Sequence, residues 1–236
     1  MTGPLYFVTP AWQRFEMSAI CFEQRARVIA ELAGHGIEAR QVVIADDENL
    51  DIARGLGAET VERDNEMVGR KFNDGMEHAG RAGAEWIVPI GSDSWIATDY
   101  FLDLDPAVTR TSEAYCVVTP RKMAQLSVSP KRLGRSAGPY VFHRSLLEPA
   151  GFRPSAEDSR MVDTSTIAGI EAAGSEIEWR TKTLHPFQYV GFRVEPMMTT
   201  YASLWRHWGV AELDPWQTLR RYYPADLVAR AKAAMR

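Results

Sequence analysis

A chain of 236 residues, 45% hydrophobic and 25% charged, can bury one sizeable core with an appended segment and is not composed like a disordered protein. No run reaches the roughly 18 apolar residues of a membrane span, and Met1-Thr2-Gly3-Pro4 leads straight into a strand-like stretch, so the sequence predicts a cytoplasmic protein with neither span nor signal peptide. The net charge of −4 gives no global pull toward nucleic acid or anionic lipid, and Cys21 and Cys116, with no CxxC or Cys/His cluster, read as reduced core residues.

Leu5-Tyr6-Phe7-Val8-Thr9, closed by Pro10, is a short apolar run that predicts a buried first strand. Phe15, Ala19, Phe22, Ala26, Ile29 and Ala33 recur at alternating steps of four and three, the spacing of one helix face, and Gly34 and Gly36 mark the stop. Val42 to Ala45 reads as the second strand, Asn49 as the cap of a short helix ending at Gly55 or Gly57, and Glu59 to Glu62 as a brief third strand. Phe72, Met76 and Ala79 share a helical face before a fourth strand over Trp86 to Ile90, where Pro89 predicts a bulge or an unpaired side. Alternating strands and helices over the first hundred residues predict a mostly parallel, doubly wound α/β sheet with helices on both faces.

Beyond Pro106 the pattern changes. Ala114 to Thr119 and Tyr140 to Phe142 read as strands around a loop-rich stretch, Asp163 as the cap of a helix over Thr164 to Ala173 ended by Gly174, and Ile177 to Trp179 as an extended run. Pro224 to Met235 predicts a helix. From Tyr201 to Arg236 there are six Lys/Arg against three Asp/Glu beside Trp205, Trp208, Trp216, Tyr222 and Tyr223, which is either a helical tail packing its aromatics onto the body or a surface for an acceptor or partner.

Two acidic segments stand where apolar strands run out: Asp46-Asp47-Glu48-Asn49-Leu50-Asp51 and Gly91-Ser92-Asp93-Ser94-Trp95. In open α/β sheets ligands bind beyond the carboxyl ends of the strands, so these carboxylates are placed to face a crevice. Read in order, the pieces resemble a GT-A fold glycosyltransferase, similar to the family 2 enzymes and their divergent, phage-type versions, over roughly Leu5 to His185. Asp46 to Asp51 resembles the DDxSxD segment that holds nucleotide base and ribose. Glu66 to Gly75 resembles the Gly…Asn-x-Gly helix start, and Gly91-Ser92-Asp93 falls at the metal-binding DxD, with Gly91 in place of its first carboxylate.

The resemblance implies a nucleotide-diphosphate sugar as donor and a divalent cation, Mn²⁺ or Mg²⁺, on Asp93 and His185. It places Thr9, Pro10, Arg14, Asp46, Asp47, Arg70, Lys71, Asn73, Ser92 and Asp93 at the donor, and makes Asp163, with Asp158 as the competing candidate, the base for an acceptor hydroxyl with inversion at the anomeric carbon. It also implies a catalytic domain over residues 1–195, divided into a nucleotide-sugar half (1–105) and an acceptor half (106–195), with a helical extension over 196–236. The acceptor is open between a protein, a glycan and a modified DNA base.

Several of these residues also have a plainer reading. Asp46 and Asp47 can end a strand and start a turn, Asp93 can be a turn residue, Arg70 and Lys71 a solvated helix face, Asp163 a helix cap, His185 structural and Trp95 a core side chain. A sugar nucleotidyltransferase opens with a glycine-rich basic loop, whereas Thr9 to Arg14 contains no glycine. The same segment excludes the GxGxxG of a dinucleotide oxidoreductase, and no P-loop or HExxH occurs. Two alternatives remain, a non-catalytic nucleotide or sugar binder that has lost its first metal carboxylate at Gly91, and a sugar nucleotidyltransferase that lacks the glycine-rich loop.

Overall fold

The computed structural model describes residues 3–103, 105, 109–112, 114–118, 123–127, 139–158, 162–182, 188–192 and 215–235, with backbone alone at 109–112, 114–118, 123–127, 163, 180–182 and 215. A five-stranded sheet forms its centre. β1 (Leu5–Pro10) lies in the middle, flanked by β2 (Ala39–Ala45) and β4 (Trp86–Pro89); β3 (Glu59–Glu62) pairs outside β2, and β9 (Phe142–His143) outside β4. The first four strands run parallel and β9 antiparallel, so the expected mostly parallel α/β sheet is present. Pro89 ends β4. Ile90 donates its N–H to Val8 O at 3.0 Å, so by alternation position 89 faces the β9 side, where pairing has already stopped at Ile87.

The strand order 3-2-1-4 means that the chain winds one way through α1 (Phe15–Gly34) and α2 (Asn49–Gly55), then crosses back with α3 (Val68–Arg81). α1 packs on the face made by Leu5, Phe7, Trp86 and Val88, and α3 on the opposite face made by Tyr6, Val8, Val42 and Ile44. Both faces of every central strand are therefore covered, which is why β1 reads as one continuous apolar run. Gly75 lets α3 lie close against the sheet, since a Cβ there meets Ile44 Cδ1 at 2.4 Å and Val8 Cγ1 at 2.5 Å.

Four further strands, β5, β6, β8 and β11, are not legible as apolar runs. β5 (Ser94–Ile96), β11 (Tyr189–Phe192), β7 (Ala114–Val118) and β8 (Met123–Ser127) build a second sheet in the order β5-β11-β7-β8, and β6 (Thr109–Ser112) pairs with β10 (Trp179–Lys182). Of these the sequence pattern indicates only β7 and the first residue of β10, Trp179. α4 (Arg144–Leu147) and α5 (Val162–Ala172) follow β8 and β9 in the chain, and α6 (Pro215–Leu219) and α7 (Ala225–Ala234) close it. α5 starts two residues earlier than expected, so position 163 lies within its first turn instead of capping it.

The buried surface of α1 also differs from the predicted stripe. Phe22 is fully buried, but the other buried positions are Met17, Ser18, Ile20, Cys21, Gln24, Arg25, Val28 and Leu32. The reason is that α1 is enclosed on two sides. One side meets the central sheet; the other meets Trp95, Val190 and Phe192 of the second sheet together with Trp216, Leu219, Leu227 and Val228 of the C-terminal helices and Tyr223 between them. Trp95 is a core residue, 4.7 Å from the ring of Phe192 and 4.9 Å from that of Tyr223. Trp216 and Tyr223 pack onto the body as the plainer reading of the tail expects, while Trp205 and Trp208 lie outside the described residues, as does the segment 128–138.

Gly75→Ala is expected to cost about 1–3 kcal/mol by overpacking. Gly55→Ala, at a helical position where nothing approaches within 4 Å, is expected to be neutral or stabilising by up to about 1 kcal/mol. Urea denaturation of the two variants checks the contrast.

Candidate functional site

In a 3-2-1-4 order the connections leave β1 in opposite directions, so the crevice for a ligand opens beyond the carboxyl ends of β1 and β4. The segment that leaves β1 there is Ala11-Trp12-Gln13-Arg14. Gln13 and Arg14 both adopt left-handed backbone with φ near 50°, a conformation that costs non-glycine residues on the order of 1–3 kcal/mol each. Three neighbours hold them in it. Asp47 Oδ2 accepts the Gln13 N–H at 2.8 Å, Asn49 Nδ2 donates to Gln13 O at 3.2 Å, and Lys71 Nζ donates to Ala11 O at 2.8 Å. The outcome is that Arg14, at the start of α1, points across the crevice and Nη1 donates to Asp93 Oδ2 at 3.0 Å.

The two acidic tips therefore converge on adjacent residues of one loop, Asp47 on Gln13 and Asp93 on Arg14. Their roles differ. Asp47 is consumed by the fold: besides Gln13 it accepts the N–H of Asn49, the first residue of α2, at 3.0 Å and the Asn49 side-chain amide at 2.7 Å. Asp46 is exposed; Oδ2 accepts the Asn65 N–H at 3.1 Å, and Oδ1 has no protein partner among the described residues. Thr9 is fully buried with its hydroxyl unpartnered among the described residues, Pro10 is the last residue of β1, and Ser92 is buried in the turn that carries Asp93.

Two cations lie beneath these tips with almost no exposure. Lys71 is 1% exposed, and burial holds its ammonium below the ordinary lysine range, opposed by the charges of Asp46, Asp47 and Asp64. Arg25, on α1, is 0% exposed and donates from Nη1 to Gly91 O at 3.2 Å and Ser94 O at 3.0 Å. Burial brings its guanidinium down to about 10, which leaves it charged at neutral pH, and Asp93 is among the groups that oppose the shift. Its Nε and Nη2 have no hydrogen-bond partner among the described residues. The neighbouring Cys21 thiol is pushed up to about 12, mainly by burial, and so stays protonated. Arg25 was not anticipated; the one signal available was a charged residue inside the apolar stretch of α1.

Other predicted donor residues serve the scaffold. Asn73 exchanges two bonds with the backbone of Ser155, donating from Nδ2 to O at 2.8 Å and accepting N–H on Oδ1 at 2.9 Å. Beside it Asp74, also buried, accepts from Arg63 and, at 2.8 Å, from Arg153. Arg70 reaches Glu66 at 3.2 Å and Glu157 at 3.6 Å in a solvated pairing. Asp158 is exposed, the side chain at 163 is outside the described residues, and so is His185.

The divalent cation that the resemblance implies does not fit the described residues. Asp93 Oδ1 accepts from Ser94 Oγ at 3.2 Å while Oδ2 holds Arg14, so both oxygens already have protein donors. A Cβ at Gly91 would stand 2.9 Å from Asp93 Oδ1, so no second carboxylate can be added there without displacing the first. No group of three or more His, Cys, Asp or Glu placed for a metal occurs among the described residues. A cation on Asp93 would also meet the guanidinium of Arg14; two unit charges about 4 Å apart repel by about 4 kcal/mol at the effective dielectric of a protein surface, and a divalent ion doubles this.

No family model matches the chain, and no curated protein matches it. Solved structures similar to it include a mannosyltransferase from Pyrobaculum calidifontis in complex with GDP-Man and Mn²⁺, at 16% identity over 99% of this chain and 74% of that one, with a TM-score of 0.48. A CMP:2-keto-3-deoxy-manno-octonic acid synthetase complexed with CTP shares 15% identity over 87% of this chain and 96% of its own, TM-score 0.48. A 4-diphosphocytidyl-2C-methyl-D-erythritol synthase from Anaerococcus prevotii shares 12% over 80% and 89%, TM-score 0.48. Such identities leave the chemistry to be argued from the residues themselves. No described helix is long and apolar enough to cross a membrane.

Two expectations follow. Asp47→Ala should cost about 1–3 kcal/mol in urea denaturation, because it strips the partner of the Asn49 N–H and the anchor of a strained loop, whereas Asp46→Ala, at an exposed position, should stay within about 0.5 kcal/mol. For Lys71 the folded-state pKa lies below the unfolded one, so the unfolded chain binds more protons between the two values and stability rises with pH there. Measured against Lys71→Met, which lacks that group, wild-type stability should therefore improve as pH is raised from neutral toward 10.5.

Proposed function

We propose that the protein is a glycosyltransferase of the GT-A kind that moves a sugar from a nucleotide diphosphate to an acceptor hydroxyl. The observation that carries this reading is the Arg14–Asp93 pair, held by a strained loop where ligands of open α/β sheets bind, with Asp46 exposed at the neighbouring strand end. The order of segments that resembles the family supports it independently. In this reading the donor lies on residues 1–105 and the acceptor on 106–195, with 196–236 as a helical extension.

The chemistry asked of the chain is displacement at the anomeric carbon. The acceptor oxygen forms a bond to that carbon, the bond to the diphosphate oxygen breaks, and its electron pair leaves with the diphosphate, which inverts the configuration. The acceptor proton passes to a carboxylate, for which Asp163 is the candidate. Arg14 supplies positive charge where the leaving group becomes more negative, and the loop restraints keep that charge in place before reaction, so little reorganisation is needed at the transition state. No step is derived through a metal, because the described residues do not fit one.

The test is a turnover panel of UDP-, GDP- and CDP-sugars, scored for transfer to glycan, protein and modified-DNA acceptors and for slow hydrolysis. Release of sugar from at least one donor is expected, with Asp163→Asn lowering the rate about 10²–10⁴-fold while nucleotide binding persists. Wild-type rates in Asp163→Asn would remove it as the base. Binding of nucleotide without any release of sugar would make the protein a binder and not an enzyme.

A further inference from the structure

Resting on the donor-site reading above, we propose that the chain neutralises the diphosphate of its nucleotide with Arg14 directly, without an intervening divalent cation, and that Arg25 and Lys71 are the buried charges that make this possible. Three independent features converge on it. The first is the occupied carboxylate: Asp93, the one acid of the Gly91-Ser92-Asp93 triplet, is bonded to Arg14 at 3.0 Å and Ser94 at 3.2 Å. The second is the exposure of Arg14. Its side chain retains 20% exposure at the crevice, one of its five donors goes to Asp93, and no other protein acceptor engages it among the described residues.

The third feature is the pair of cations underneath. A buried guanidinium with two donor atoms unpartnered among the described residues, and a buried ammonium bonded to one carbonyl, are costly to a fold that uses them only for packing. Both are bonded to carbonyl oxygens of the two crevice turns, Arg25 to Gly91 and Ser94, Lys71 to Ala11. Because a trans peptide carries its N–H opposite its C=O, the N–H groups of Ser92 and Trp12 face away from those cations. The result is a crevice floor with three positive side chains around Asp93 and the acidic β2 tip, two of them too deep to touch a ligand. Arg14 is the binding residue. Arg25 and Lys71 are positioning residues that set the turns and the field around it.

The arrangement reverses what a metal site requires of Asp93. In a metal site that carboxylate is the anchor, and its loss abolishes binding of the diphosphate. Here it competes with the diphosphate for Arg14, so its neutralisation frees donors for the ligand. The experiment is equilibrium binding of UDP, GDP, CDP and inorganic pyrophosphate to the full chain, in EDTA and in Mn²⁺, for wild type, Arg14→Met, Arg14→Lys and Asp93→Asn, with near-ultraviolet circular dichroism as the check of folding.

Wild-type protein is expected to bind pyrophosphate and one nucleoside diphosphate in EDTA, within about threefold of the affinity in Mn²⁺. Arg14→Met should weaken both by on the order of tenfold or more, Arg14→Lys by less, and Asp93→Asn should bind in EDTA as tightly as wild type or tighter. Binding that needs Mn²⁺, or that Asp93→Asn abolishes in a folded protein, overturns the proposal and leaves the donor reading standing. Pyrophosphate bound in EDTA with no nucleotide bound supports the anion site and ends the donor reading. Failure to bind either ligand in EDTA overturns the proposal. If Asp93→Asn does not fold, the Arg14→Met and Arg14→Lys comparison in EDTA decides alone.

Discussion

Four residues between β1 and α1 carry the weight of this structure. Gln13 and Arg14 sit in a backbone conformation that neither prefers, and the loop keeps it because Asp47, Asn49, Lys71 and Asp93 each hold a different atom of it. The strain is on the order of a few kcal/mol, a sizeable part of what a domain of this size has to spare. It is offset by hydrogen bonds from three separate segments, those following β2, those following β4 and the first turn of α3. Relaxing the loop would therefore loosen the ends of three elements together.

The rest of the molecule makes that aim possible by keeping water away from the charges below. α1 is enclosed by the central sheet on one side and by the Trp95, Phe192 and Tyr223 cluster on the other, and Arg25 emerges from the middle of that enclosed helix. In such surroundings a charge acts over a longer distance than at the surface. The turn it supports is fixed from the opposite side as well, since Phe192 donates its N–H to Asp93 O at 2.7 Å. The C-terminal helices thus do more than cover apolar surface: through Tyr223 and Trp95 they seat the strand that follows the turn.

How much of this the sequence revealed follows from where each signal lives. β1, β2 and β3 are short apolar or β-branched runs bounded by turn residues, and their ends were legible to within three residues; the same holds for α1 and α7, whereas α3 showed only its buried face from Phe72 to Ala79 and begins four residues earlier, at Val68. β5, β6, β8 and β11 were not, because Ser94–Ile96, Thr109–Ser112, Met123–Ser127 and Tyr189–Phe192 are brief and depend on partners distant in the chain. For the site, Asp46/Asp47 and Asp93 could be named because acidic residues after apolar strands are visible locally. That Asp47 would be spent on Gln13 and Asn49, that Asn73 would clamp Ser155, and that Arg25 would reach across to Gly91 are tertiary facts. A residue type at a motif position states what a side chain is able to bond, and the fold decides which partner it meets.

The charges along the crevice are ordered, and the order itself favours one kind of ligand. At the β2 end stands Asp46, exposed and with one oxygen unclaimed among the described residues, an acceptor suited to hydroxyl or amino donors. At the β4 end stands Arg14 over buried Arg25, suited to an anion. Lys71 lies between, beneath the loop, where Asp46 and Asp47 oppose the cost of its burial. A nucleotide diphosphate has the matching polarity, ribose hydroxyls at one end and phosphates at the other, and bound this way its sugar would extend past Arg14. A simple anion would use only one end of the crevice, and a neutral sugar would leave Arg14 paired to Asp93. Under the proposed function, that order of charges accords with a donor carrying both groups.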